Sequence, residues 1–60
     1  MYLEVVHGDS GYWFVRLVGG NGESMMVSEL YDSKSNAERA AYNIQNDWSQ
    51  VIEVKVIDEV

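Results

Sequence analysis

The residues with the clearest chemical potential stand near the N-terminus, where the sequence reads His7-Gly8-Asp9-Ser10. A histidine, a carboxylate and a hydroxyl are the members of a hydrolytic triad, but known triads gather their members from distant positions in the chain. Residues this close in sequence cannot easily take up that geometry. We therefore interpret the stretch as a strand end followed by a turn, and the chain is not expected to be an enzyme.

Arg16 is the candidate anchor of a ligand site, because it lies on the same face of a predicted strand as Tyr12. A guanidinium binds carboxylates and other anions through a planar fork. The alternative is a cross-strand ion pair with Glu4 or Glu23, an interaction that contributes roughly 0.2–1 kcal/mol. Trp13 and Tyr12 complete the candidate ligand-binding set as aromatic surfaces. The alternative for a tryptophan is to anchor a core or an interface.

A second polar cluster runs from Ser28 to Lys34 and ends where a helix is predicted to begin. Serines and a lysine at that place resemble an anion site, because the first amides of a helix are unpaired. Phosphate loops normally bring glycines to the point of approach, and the carboxylates of Glu29 and Asp32 would repel an anion. Helix capping by a serine explains the cluster better.

Composition narrows the range of cofactors and partners. The 60 residues include no cysteine and one histidine, which excludes thiolate metal sites and argues against an imidazole-rich one, so no metal or cofactor is expected. Ten acidic and four basic residues give a net charge of -6. Direct binding to nucleic acid is disfavoured, because phosphates must be neutralised by Lys and Arg. The acidic surface favours solubility, and the alternative is a basic protein partner.

The sequence also bears on location. No apolar run approaches the roughly 20 residues that a membrane-spanning helix requires. The N-terminus has Glu4 and no basic region, unlike a signal peptide. The expected location is therefore the cytoplasm, without a membrane partner.

The elements that must position these residues follow from the spacing of apolar side chains. Alternation and turn residues predict three strands, at residues 2–7, 12–18 and 23–28. The second turn contains Asn21-Gly22, a strong hairpin signal, so the three strands form an antiparallel meander.

A helix and a fourth strand follow the meander. One apolar helical stripe has the spacing of three and four residues and consists of Ala37, Ala40, Ala41, Ile44 and Trp48. Ser33 and Ser35 are both suitable caps for this helix. Residues 51–58 alternate again, with Ile52, Val54 and Val56 on one face. The predicted fold class is α+β, a single domain over residues 1–60 with the order β-β-β-α-β.

Self-association is expected from the size of the chain. A core of this size rarely supplies more than about 3–5 kcal/mol, so small folds usually need a further stabilising element. One helix cannot cover both faces of the sheet, and an exposed aromatic face or open strand edge favours a partner. The last strand is well placed to pair with another subunit. We expect a symmetric homodimer that completes the fold.

These motifs together resemble the YegP-like family, a domain of unknown function. The matching residues are Arg16-Leu17, Asn21-Gly22, Ser28-Glu29-Leu30-Tyr31, Ser33-Lys34 and Ile44. The resemblance covers residues 2–46 and departs at Val15, where the family usually has tryptophan, and at Leu30, where it has glycine. It implies a β-β-β-α-β unit that occurs as tandem copies or as a homodimer of single copies. It implies no biochemical activity.

The leading functional hypothesis is a non-enzymatic homodimer of uncharacterised function that serves as an interaction or structural module. One alternative is a dimer that binds a small ligand or a peptide in a groove near Arg16. The other is an acidic modulator of a basic, nucleic-acid-binding protein. The expected partners are a second copy of the chain and an unidentified protein.

Overall fold

The computed structural model describes residues 1–58. Within them the chain forms β1 (Tyr2–His7), β2 (Trp13–Val18), β3 (Ser24–Val27), α1 (Lys34–Asp47) and β4 (Val54–Asp58). The predicted order and the α+β class are confirmed. The sheet order is β3-β2-β1-β4, in which β1, β2 and β3 form the antiparallel meander and β4 pairs parallel to β1.

The turn between β1 and β2 accounts for the triad-like stretch. Gly8 N donates to Tyr12 O at 2.9 Å, and Gly11 N donates to Gly8 O at 3.1 Å. Gly11 has a φ of 87°, which glycine adopts without the steric cost that a side chain would bring. Asp9 and Ser10 are exposed in this turn, which agrees with the interpretation of the stretch as a strand end followed by a turn.

The loop between β2 and β3 contains the predicted Asn21-Gly22 turn but is longer than a two-residue hairpin. Gly19 N donates to Glu23 O at 2.9 Å, and Asn21 Oδ1 accepts from Glu23 N at 3.1 Å. The third strand is shorter than predicted. It ends before Ser28 because the Ser28 hydroxyl takes the place of a backbone carbonyl and accepts from Val15 N at 2.8 Å.

Helix α1 begins after Ser33, whose Oγ accepts from Asn36 N at 3.2 Å. Of the two predicted caps, Ser33 is the one used. Ala37 and Ala41 are 0% exposed, and their small size lets the helix approach the sheet closely. The core beneath the helix consists of Leu3, Val5, Trp13, Val15, Leu17 and Val51, together with these alanines. Helix α1 packs against β1, β2 and β4 and, among the described elements, not against β3.

The fourth strand begins later than predicted. Val51 N donates to Trp48 O at 3.0 Å and Ile52 N to Met1 O at 3.1 Å, so the chain is still turning there. Val51 is buried in the core from this loop, whereas Ile52 is 77% exposed. The prediction that Ile52 shares the buried face was therefore wrong. The alternation of side chains toward and away from the helix begins at Val54, which packs against the core.

The sheet face away from the helix is largely closed by its own side chains. Val6 and Val18 are buried on this face although no helix covers them. Lys55 Nζ lies 4.4 Å from the centroid of the Tyr2 ring, a cation–π arrangement. Tyr2 and Phe14 are partly buried. Tyr12, at the edge of this face, is 43% exposed, so the aromatic residues do not form the continuous exposed surface that the sequence suggested.

Substitution of Ala41 by leucine tests the close contact between helix and sheet. We expect Ala41→Leu to lower the free energy of unfolding by about 1–3 kcal/mol, because the added side chain overpacks a fully buried position. Asn43→Leu, at an exposed helix position, is the matched control and should change stability by less than about 0.5 kcal/mol. Urea unfolding followed by circular dichroism measures both. Equal effects of the two substitutions would contradict the contact.

Candidate functional site

The candidate ligand residues of β2 lie on different faces of the sheet. Arg16 Nε donates to Glu4 Oε1 at 2.7 Å, and Arg16 Nη2 lies 2.6 Å from the same oxygen. This pair occupies the face away from the helix, whereas Trp13 is buried beneath the helix. Tyr12 precedes the strand and is exposed. The structure thus forms the predicted Arg16–Glu4 ion pair. A ligand-binding role for Arg16, Trp13 and Tyr12 stays a prediction.

His7 takes part in an arrangement that the sequence analysis did not anticipate. Its ring stacks on Trp13 with centroids 4.2 Å apart and planes 5° from parallel. Its Nδ1 lies 2.9 Å from Asp58 Oδ1. The stack joins the end of β1 to β2, and the contact with Asp58 joins the end of β1 to the end of β4. Asp58 is distant in sequence and joins His7 only through the parallel pairing of the two strands, which local patterns do not reveal.

The motif residues between β3 and α1 form a structural joint. Ser28 Oγ accepts from Val15 N and donates to Glu29 O, both at 2.8 Å. Tyr31 and Trp13 exchange two backbone hydrogen bonds, Trp13 N to Tyr31 O at 2.9 Å and Tyr31 N to Trp13 O at 2.7 Å. The Tyr31 side chain packs against the core. Both serine hydroxyls of this segment, Ser28 and the cap Ser33, are engaged by the protein itself.

The remaining motif residues divide between the core, the loop and the surface. Leu17 belongs to the core. In the β2–β3 loop, the side-chain oxygen of Asn21 accepts a hydrogen bond from Glu23 N, and Gly22 has a φ of 85°. Glu29 and Lys34 are exposed. Ile44 is at the surface of α1, where it helps to form a cleft.

An apolar cleft of about 210 Å³ lies between β3 and the end of α1. It is lined by Leu3, Val15, Leu17, Met26, Val27, Ser28, Ile44 and Trp48. Seven of these eight residues are apolar, and the hydroxyl of the eighth, Ser28, already has protein partners. The cleft can therefore receive an apolar group, and the hydroxyl in its lining is not free to orient a polar one.

The cleft exists because α1 does not reach β3. Met26 pairs with Leu17 across the ladder, so both side chains face the helix side of the sheet. Leu17 is buried but Met26 is 68% exposed. On the other side of the cleft, Ile44 and Trp48 are 37% and 41% exposed. Apolar side chains thus face each other across a space that the helix leaves open.

The sequence pattern identified some of the cleft residues as apolar positions but did not predict that they form a cleft. The helical stripe correctly grouped Ile44 and Trp48 with the buried alanines, but these two residues lie at the C-terminal end of the stripe and are only partly covered. The apolar run Met25-Met26-Val27 is the signal that could have revealed the other wall. It lies on an edge strand of four residues, all of them exposed.

Within residues 1–58, no group of three or more His, Cys, Asp or Glu side chains is placed to hold a metal ion. The helix found in this range is too short and too polar to cross a membrane.

Comparison with protein families gives a match over residues 9–50 to a domain of unknown function, DUF1508. This match spans more than half of the chain. The chain belongs to the DUF1508 family. The DUF1508 segment contains β2, β3 and α1, and with them every cleft residue except Leu3. No match is found among curated proteins, and none among solved structures. The DUF1508 match therefore assigns a family and no activity.

The ion pair on the far face gives a testable stability prediction. Arg16→Met leaves the Glu4 carboxylate, in a residue that is 8% exposed, without its partner. We expect a loss of about 1–3 kcal/mol in the free energy of unfolding, the cost of leaving a buried acceptor unsatisfied. The double variant Glu4→Leu, Arg16→Met removes both charges and should recover most of this loss. If Arg16→Met and the double variant are equally destabilised in urea, the pairing is not the source of the effect.

Proposed function

We propose that this DUF1508 protein is a non-enzymatic interaction module of the YegP-like, single-copy type that works as a homodimer. The observation that carries the proposal is the exposed edge strand β3 beside the apolar cleft. An edge strand offers unpaired backbone groups to another chain, and natural proteins usually protect such edges with charged residues. β3 has none of these between Ser24 and Val27.

The two edges of the sheet differ in this respect. β4, the other edge of the described sheet, has the charged residues Lys55 and Asp58. β3 has instead Met25, Met26 and Val27, each more than half exposed. Burial of such side chains against a second copy would remove apolar surface from water at about 25 cal/mol per Å². Apolar exposure therefore favours β3 as the association edge.

The hydrogen-bond pattern shows which amides are available at each edge. Ser28 N donates to Val15 O at 2.8 Å, and inward and outward groups alternate along an antiparallel strand. Val27 therefore directs its N–H and C=O away from β2. At the other edge, Leu3 N donates to Glu53 O at 2.9 Å, so by the same alternation Val56 directs its backbone groups away from β1.

Pairing of β3 with β3 of a second copy satisfies the geometry of a closed dimer. A two-fold axis perpendicular to the sheet makes the two strands antiparallel and uses the same surface on both copies. The result is one continuous sheet with both helices on the same face. The clefts of the two copies then open side by side, flanking the axis.

The expected cytoplasmic location stays a prediction.

Proline substitution at the two edges tests the proposal. Val27→Pro removes the outward N–H of β3, and proline is tolerated on an edge strand because the inner ladder stays intact. We expect this variant to sediment as a monomer at concentrations where the unchanged protein is a dimer. Analytical ultracentrifugation measures the masses, and circular dichroism checks that both proteins are folded.

Val56→Pro is the matched control at the opposite edge, and it should remain a dimer. Dissociation of Val56→Pro with retention of the Val27→Pro dimer would move the interface to β4, where the sequence placed it. A monomeric unchanged protein at micromolar concentration would reject the homodimer.

A further inference from the structure

Edge strand β3 contains two of the three methionines of the chain, and the chain has no cysteine. Every side-chain sulfur atom of the protein is therefore a thioether. A thioether reacts with peroxides to give methionine sulfoxide, which is polar where the original side chain was apolar, and the change is reversible by enzymes. On an edge strand whose exposed surface is largely methionine, this reaction removes the apolar character that favours association.

The three methionines differ in how far they are exposed in one subunit. Met26 is 68% exposed on the wall of the cleft, and Met25 is 56% exposed. The Met25 sulfur lies beside Gly19, where an added Cβ would come within 3.0 Å of it. Met1 is partly buried against the core. Because a peroxide must reach the sulfur atom, we expect Met26 to react first, Met25 second and Met1 last.

The two exposed methionines occupy different positions along the edge. The register of β3 against β2 shifts between Met26 and Ser24, which leaves Met25 as the extra residue of a β-bulge. Met26 faces the helix side of the sheet, whereas the Met25 sulfur lies against the β2–β3 loop at Gly19. Oxidation of both side chains therefore places polar oxygens at two points of one apolar edge.

We propose that Met25 and Met26 are a reversible modification site through which peroxide controls pairing at β3. The proposal rests on the proposed homodimer and names how its interface is regulated. The thioether sulfur attacks one oxygen of hydrogen peroxide, so that an S–O bond forms as the O–O bond breaks. The second oxygen takes the hydrogen of the first and leaves as water. The sulfur loses two electrons, and the peroxide gains the same two.

A sulfoxide at this edge weakens pairing because its oxygen must lose water when the two copies meet. A polar group that is buried without a hydrogen-bond partner is costly. The lining beside Met26 is apolar except for Ser28, whose hydroxyl is already bonded to Val15 and Glu29. Two-fold symmetry places the modified side chain on both copies. We expect oxidation to raise the dissociation constant of the dimer at least about tenfold.

Association and oxidation compete for the same side chain. Burial of Met26 against a second copy shields its sulfur, so the reaction proceeds through the separated subunit, in which Met26 is exposed. Oxidation of Met26 should therefore slow as the protein concentration rises through the range in which the dimer forms. In the Val27→Pro variant, which is expected to be monomeric, the rate should not depend on concentration. The same rate at every concentration for a protein that does dimerise overturns this competition.

Peroxide treatment of the 60-residue chain tests the proposal. Peptide mass spectrometry reports the oxygen gained by each methionine, and analytical ultracentrifugation of the same samples reports the mass in solution. We expect Met26 and Met25 to gain oxygen before Met1, and the dimer to separate as they do. Reduction of both sulfoxide epimers by methionine sulfoxide reductases should restore the dimer.

Two variants separate the thioethers from the rest of the strand. The double variant Met25→Leu, Met26→Leu keeps an apolar edge of similar volume, so it should dimerise and remain a dimer in peroxide. Met26→Gln places a polar group at the same position and should weaken the dimer at least about tenfold without any oxidant. Ile52→Gln is the matched control, because Ile52 is 77% exposed outside β3, and it should leave the dimer unchanged. Circular dichroism checks that each variant is folded.

The outcomes distinguish this proposal from the homodimer on which it rests. A dimer that persists when Met25 and Met26 are fully oxidised overturns the proposal and leaves the homodimer standing. Separation of the leucine variant in peroxide, or oxidation of Met1 as fast as of Met26, overturns the proposal as well. An untreated protein that is monomeric at every concentration rejects the homodimer and its regulation together.

Discussion

One helix is narrower than a four-stranded sheet, and this difference determines which part of the sheet stays exposed in this protein. A helix with its side chains is about 10–12 Å across, whereas four strands spaced about 4.8 Å apart span roughly 19 Å. Ala37 and Ala41 seat α1 on β1 and β2 at close range, with additional contact to β4. The helix therefore does not cover β3. The open strand, the cleft and the exposed Met26 all follow from this mismatch.

The same constraint explains how the association surface and the cleft relate to each other. The edge of β3 directs backbone groups outward, and the cleft beside it exposes apolar side chains on the helix face. The matched DUF1508 segment contains β3 and α1 together, so the family unit includes both walls of the cleft. We propose an interaction role because it uses both the open edge of β3 and the apolar cleft.

Local sequence patterns predicted the strands and the helix. They failed for residues whose burial or partners depend on how distant elements pack together. Alternation gave β1 with its observed bounds, and the spacing of Ala37 and Ala41 gave the buried face of α1. The stripe could not reveal that Trp48 lies beyond the covered part of the sheet, because this depends on where the helix crosses the strands. Ile52 was misplaced for a similar reason, since a backbone bond to Met1 holds the chain in a loop. The pairing of His7 with Asp58 required the parallel register of two distant strands.

We propose that the protein associates through the edge of β3. Amide hydrogen exchange at Val27, measured over a series of protein concentrations, tests it most directly, because the outward amide of an unpaired edge strand has no hydrogen-bond partner to protect it. If β3 is the association edge, exchange at Val27 slows as the protein concentration rises, while exchange at Val56 does not change. Exchange at Val27 that is fast at every concentration would contradict it.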